Sequence, residues 1–237
     1  MSESSQTIRV NFGKPMPVFP IAGVVLLPHA VLPLHIFEPR YRQMIEDAID
    51  GSGQIAMAVF EGARWKQEYH GMPPIRPVVC VGQIVQHERL PDGRYNILLQ
   101  GVCRARVVEE QAPDEDRLYR TATLRPLGQD ENEEENGMLD VRQRLHDLLS
   151  EPPLTQLVAA EGVTKWLEKE EAPTSAVLEL IGISVIADND LKYRLLAEPD
   201  PELRAGIIER ELLDLRTLLR KAERQVDPDA PKGVSWN

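Results

Sequence analysis

The spacing of apolar residues along this chain changes character more than once. Between Val18 and Ile36 they come in short runs interrupted by Pro20, Pro28 and Pro33. That pattern predicts short buried strands joined by tight bends, because an interior proline cannot donate to a sheet ladder. From Arg40 the spacing turns helical: Tyr41, Met44, Ile45, Ala48 and Ile49 fall on one face, with Pro39 suited to the first turn and Gly51 to the stop. A strand is therefore handed straight to a helix at Phe37-Glu38-Pro39.

Past Gly51-Ser52-Gly53 the run Gln54 to Phe60 predicts a buried strand, and residues 61–76, with their turn residues, a long loop. Pro77 to Val108 predicts two long strands paired as a hairpin about Pro91-Asp92-Gly93, where proline presets one dihedral and glycine accepts a positive φ. Inside-outside parity is not kept across Gly101, which marks a bulge or bend. Leu118 to Pro126 supplies a last strand. Gln129 to Asn136 is a polar, acidic run without apolar residues, and everything after it has helical spacing. One stripe is Met138, Val141, Leu145, Leu148 and Leu149; another is Leu154, Leu157, Val158, Trp166 and Leu167. Thr174 to Ala187 is a more apolar segment. A last helix opens at Asp200-Pro201 and carries Leu203, Ile207, Ile208, Leu212, Leu215, Leu218, Leu219 and Ala222. The expected organisation is a flexible arm over 1–15, a β-rich part over 16–127, an acidic join over 128–136, a helical part over 137–226 and a flexible tail over 227–237.

Composition narrows the classes of function. With 237 residues and 42% hydrophobic content the chain can bury a core. Its formal charge of −11 lies in the second part, since residues 1–126 hold 14 Lys+Arg against 14 Asp+Glu and 127–237 hold 13 against 24. A neutral β-half beside an acidic helical part offers no basic surface for nucleic acid or for anionic lipid. The first ten residues lack the basic start and apolar core of a signal peptide, and no apolar run approaches the ~20 residues of a membrane span. A soluble, cytoplasmic chain is expected. Its two cysteines, Cys80 and Cys103, lie inside predicted strands without a CxxC and read as small buried thiols, neither disulfide nor zinc ligands.

The proline-punctuated stretch also carries a family signature. Pro17-Val18-Phe19-Pro20-Ile21, then Leu27-Pro28, then Leu32-Pro33-Leu34-His35-Ile36-Phe37-Glu38-Pro39-Arg40-Tyr41-Arg42 and Met44 resembles the opening of the N-terminal, substrate-binding domain of the Lon protease family. Agreement continues at Val81-Gly82-Gln83-Ile84, Leu90 to Tyr95, Gln100 to Arg106, Leu191-Lys192, Leu195-Leu196, Asp200 and Arg204, and thins between Gly128 and Asp188. The resemblance implies an α+β chain: a mostly antiparallel, PUA-like β pseudo-barrel with one inserted helix, followed by a helical bundle. It also implies a non-catalytic module that binds proteins or unfolded peptide segments, working as an adaptor or regulator in protein quality control with a protease or chaperone. An alternative is a small-molecule-binding protein, since the same β-fold occurs in cereblon, whose ligand pocket lies in a separate zinc-bearing domain with a cysteine framework missing here. RNA binding, the task of PUA domains elsewhere, is opposed by the charge distribution.

Catalytic motifs are not found in these residues. Gly13-Lys14 has Ile8 where a phosphate-binding loop needs its first glycine, and Pro15 follows. The serine–lysine protease pair of the family belongs to a separate domain, and Gly182-Ile183-Ser184 ends on Ile186 where a nucleophile elbow needs glycine. His29 and His35 stand about 20 Å apart on an extended chain and have no acidic or thiol cluster to join as metal ligands. No catalytic residue, cofactor or metal site is therefore expected. Glu38, Pro39, Arg40, Tyr41 and Arg42 read as a structural motif in which Glu38 caps the helix and the arginines pair with carboxylates and pack their stems, with a recognition patch as the other reading of the three charged residues. Trp65, Tyr69 and Met72, large apolar side chains on a loop beside the barrel, are the peptide-binding candidates, with a lid over the barrel end as their other reading.

Overall fold

A computed structural model describes residues 8–69, 71–128, 138–169 and 171–226. Residues 1–7 of the expected arm, 129–137 across and just past the acidic join, the tail 227–237, and His70 and Glu170 lie outside the described residues. Those described fall in two compact units, one of 8–128 with 187–200 and one of 138–186 with 201–226.

The first unit is built on strands β1 (Met16–Ile21), β2 (Val31–Ile36), β3 (Gln54–Val59), β4 (Val78–Arg89), β5 (Tyr95–Gln111) and β6 (Thr121–Pro126), with α1 (Pro39–Asp50) between β2 and β3. Their order is β2-β5-β4-β3-β1-β6, and β6 pairs back onto β5, which closes a barrel. The length of β5 makes closure possible. Its first residues, Tyr95 to Gln100, pair with β2, and its last, Ala105 to Gln111, pair with β6. All pairs are antiparallel except β1 with β3, which the chain reaches only after crossing through β2 and α1. Met16, Val18, Ala56, Ala58, Val79, Val81, Ala105, Ala122 and Leu124 form the core, and Val10 and Phe12 pack against it from before β1.

The hairpin turn forms at the predicted place. Leu90 N donates to Arg94 O at 2.8 Å and Gly93 takes φ +79°. The bulge forms too: Val81 faces Cys103 and Gly82 faces Gly101, so Val102 has no opposite number. Gly101 N donates to Ala30 O at 2.8 Å and His29 N to Gly101 O at 2.9 Å. A Cβ on Gly101 would lie 2.1 Å from the Leu27 carbonyl oxygen, so this crossing requires glycine. Because Ala30 turns its carbonyl to β5, Pro33 falls on the parity that faces away from β5, where its missing N–H costs no ladder bond.

Helix α1 buries Tyr41, Met44, Ile45 and Ala48 as its spacing predicts. It stops at Gly51 as expected: Gly51 is the C-cap with φ −105° and donates to Ala48 O at 3.1 Å, and Gly53, at φ +70°, donates to the same oxygen at 2.7 Å. This unit also contains α5 (Asn189–Ala197). Asp188 caps α5 by accepting from Leu191 N at 2.6 Å, Tyr193 Oη accepts from Val78 N at 3.0 Å, and Asp190 pairs with Arg76.

The second unit comprises α2 (Leu139–Ser150), α3 (Ala160–Leu167), α4 (Thr174–Ser184) and α6 (Pro201–Val226). Its buried apolar residues include Val141, Leu145, Leu149, Leu154, Val163, Leu167, Leu178, Ile181, Ile208 and Leu212. The second predicted stripe is not a single helix. Leu154–Gln156 is a 3-10 turn and α3 starts only at Ala160, so Val158 is fully exposed and Trp166 is 46% exposed. On α6 the inward positions are Arg204, Ala205, Ile208 and Leu212, while Leu203 and Leu218 are exposed. Arg204 meets Glu179 of α4 at 3.3 Å, both buried. Arg142 of α2 donates to the carbonyls of Trp166 at 2.9 Å and Ala172 at 2.7 Å, and to those of Leu167 and Lys169, tying α2 to the end of α3 and the turn beyond it. No helix among the described residues is long and apolar enough to cross a membrane.

Candidate functional site

Where β1 and β3 end and α1 begins, the barrel unit carries a groove of about 360 Å³. Phe19 to Ala22 form one side, Leu34 to Glu38 another, and Tyr41, Phe60, Trp65 and Tyr69 the rest. The fold places them there because an apolar strand that ends on the barrel rim leaves its last side chains uncovered by a neighbouring strand. Phe60 stacks on Trp65 with ring centroids 5.5 Å apart and planes 10° from parallel. Tyr69 stands steeply to Trp65 at 6.4 Å, and Phe19 meets Tyr41 edge-on at 4.7 Å. Phe37, at the rim, is 61% exposed.

The segment that supplies Trp65 and Tyr69 is tied at its base. Glu61 N donates to Pro74 O and Arg76 N to Val59 O, each at 2.8 Å, around the Phe60–Ile75 bridge. Buried Arg120 donates to Pro73 O at 3.0 Å and to Glu110 at the same distance. Nearer the groove the tie is polar and specific. Tyr69 donates its hydroxyl to Glu38 Oε1. Arg40 Nε donates to Glu38 Oε2 at 3.1 Å, and Arg40 Nη1 donates to the Tyr69 carbonyl at 3.1 Å. The Arg40 guanidinium lies 4.5 Å from the Tyr41 ring centroid and 4.8 Å from that of Tyr69. Burial, with the Glu38 hydrogen bond second, raises the Tyr69 hydroxyl above its ordinary value, and burial raises that of Tyr41.

Two expectations for the motif residues are corrected here. Glu38 occupies the N-cap position of α1, but its side chain makes no capping bond, because its carboxylate is drawn to Arg40 and Tyr69. Arg42 does not reach a carboxylate; its Nη1 approaches the Asp92 carbonyl at 3.4 Å, across the hairpin turn. Pro39 takes the first helical position. Of the three loop residues singled out by sequence, Trp65 and Tyr69 line the groove, whereas Met72, 41% exposed, is not among its lining residues.

Phe19, Phe37 and Phe60 complete the aromatic lining, and strand spacing alone did not mark them. Phe37 and Phe60 lie just past the ends of β2 and β3, and Phe19 lies two residues before the end of β1. His35 Nδ1 lies 2.8 Å from Asn96 Oδ1, and Arg94 Nη1 lies 3.2 Å from His35 Nε2, so both ring nitrogens are engaged. Among the described residues no group of three or more His, Cys, Asp or Glu is placed to hold a metal ion. Apolar walls, one neutralised ion pair and uncovered strand ends suit the arrangement to holding apolar side chains by contact.

A family model of the ATP-dependent protease La (LON) substrate-binding domain matches residues 15–214. The Lon protease of Desulfosudis oleivorans is 21% identical over 221 residues, which is 92% of this chain and 26% of that protein. The Lon protease of Escherichia coli K12 is 32% identical over 92 residues, 39% of this chain and 12% of that protein. The chain thus spans about a quarter or less of the length of these relatives. Among solved structures, the N-terminal domain of the Mycobacterium avium complex Lon protease superposes with a TM-score of 0.63 at 19% identity, covering 85% of this chain and 99% of that one. A Lon N-terminal domain protein from Xanthomonas campestris gives 0.53 at 19% identity, covering 87% and 98%. The two structures establish a shared α+β fold.

Proposed function

We propose a function from one premise: the chain belongs to the LON substrate-binding domain family. It is a recognition module that holds apolar, unfolded segments of other proteins without acting on them chemically. In protein quality control it serves as an adaptor or regulator, presenting such segments to a protease or chaperone. The observation that carries this reading is the groove, where Trp65 and Tyr69 stand with Phe60 around an apolar floor. Aromatic side chains bury much area at little conformational cost, which is why they dominate contact energies at recognition surfaces.

The test uses a fluorescently labelled, carboxymethylated protein that cannot fold. Its anisotropy should rise on titration with the full chain and rise at least about tenfold more weakly with a Trp65→Ala, Tyr69→Ala variant of unchanged circular dichroism. Equal binding by the folded variant removes the groove from the account. A second reading, a small-molecule site, is favoured by one observation, the groove volume of about 360 Å³, which falls within the range of roughly 300–1,000 Å³ usual for such pockets. Stabilisation by a metabolite but not by apolar peptides in a thermal-shift screen would select it.

A further inference from the structure

Arg40 is not itself among the lining residues of the groove, but it stands against three that are, Glu38, Tyr41 and Tyr69. Its guanidinium lies 4.5 Å from the Tyr41 ring centroid and 4.8 Å from the Tyr69 centroid. Its Nε and Nη2 each lie 3.1 Å from Glu38 Oε2. Two aromatic faces beside a carboxylate are the chemistry that recognises a cation. Here an arginine of the same chain fills that place. Among the described residues lining the groove, Glu38 is the one carboxylate. The side chains of Glu38 and Arg40 are 19% and 20% exposed, so water screens neither of them fully.

We propose that Arg40 is the specificity-determining residue of the groove: by filling the cation site it cancels the charge of Glu38, so that the groove selects uncharged apolar side chains and is indifferent to the charge of the residues beside them. The proposal rests on the reading of the groove as a peptide site. It assigns the pair a task that helix capping does not explain, since the Glu38 carboxylate makes no capping bond. It also predicts opposite consequences for the two partners. Without the guanidinium the groove would present an anion; without the carboxylate it would present a cation.

Three peptides with one apolar core, flanked by serine, lysine or glutamate, test this at low salt. The unaltered chain should bind all three within about threefold, because the pair has no net charge to show them. Arg40→Gln should prefer the lysine peptide over the glutamate peptide by about tenfold, and Glu38→Gln should reverse that preference by a similar factor. The double variant should return to indifference. A tenfold charge preference in the unaltered chain overturns the proposal, as does the absence of any preference in whichever single variant keeps its circular dichroism. Should the unaltered chain bind none of the peptides, the peptide reading fails by itself. The charge claim is then decided with two apolar dyes, anionic anilinonaphthalene sulfonate and cationic thioflavin T, whose preference must switch between the single variants; no switch overturns it.

Discussion

Tyr69 donates its hydroxyl to Glu38 across 31 positions of chain, so one hydrogen bond joins the aromatic wall of the groove to the head of α1. Phenylalanine at 69 would keep the ring against Phe60 and Trp65 while withdrawing that donor. Tyr69→Phe should lower stability by about 1 kcal/mol. Urea unfolding followed by circular dichroism measures it, and an unchanged midpoint would show that the bond contributes nothing.

All five tyrosines, Tyr41, Tyr69, Tyr95, Tyr119 and Tyr193, have hydroxyls raised above the ordinary 10.0, with burial the leading cause in each. For Tyr69, Tyr95 and Tyr119 the next cause is a hydrogen bond to Glu38, Glu46 and Asp47 respectively. A phenol that resists ionisation when folded contributes stability that is complete below the unfolded value and is lost as pH rises through the folded one. Absorbance at 295 nm should show phenolate appearing later in the native chain than in urea, with the melting temperature falling above pH 10. Coincident native and denatured curves would refute the burial of these hydroxyls.

Glycine substitutions separate two kinds of site. Gly101→Ala sets a Cβ 2.1 Å from the Leu27 carbonyl oxygen and should cost roughly 3 kcal/mol or prevent folding. Gly162, inside α3, has no atom within 4 Å of a built Cβ, and Gly162→Ala should stabilise by about 0.5–1 kcal/mol through helix propensity. Melting temperatures of the two variants should lie on opposite sides of the unaltered chain.

Arg142 gathers the carbonyls of Trp166, Leu167, Lys169 and Ala172 with one planar group. Lysine cannot reproduce that fork. Arg142→Lys should therefore destabilise the second unit by about 2 kcal/mol. Hydrogen exchange should quicken in α3, and unaltered protection there would show that the carbonyls need no such partner.

How much of this was legible depends on how far apart along the chain the interacting groups lie. Local rules found α1 from Tyr41, Met44, Ile45 and Ala48, the hairpin from Pro91-Asp92-Gly93, and the bulge from the loss of parity at Gly101. They also drew attention to Trp65 and Tyr69. They failed where a partner is remote or where a break hides inside a periodic run. Nothing near Glu38 in sequence announces Tyr69, and nothing near Arg142 announces the end of α3. The stripe from Leu154 to Leu167 reads as one helical face, but a 3-10 turn over Leu154–Gln156 and a start of α3 only at Ala160 split it and leave Val158 and Trp166 exposed. The inclusion of α5 in the barrel unit is likewise invisible to periodicity, since several of its ties, at Asn189, Asp190 and Tyr193, are polar contacts with Gly23, Arg76 and Val78.

The central claim is that the groove between the ends of β1, β2 and β3 receives an apolar segment. The most direct measurement is an amide NMR titration of the full chain with a short apolar peptide. Shifts should be concentrated at Phe19 to Ala22, Leu34 to Glu38 and Phe60 to Tyr69. Saturable shifts centred elsewhere, or none while the peptide is shown to bind, would contradict it.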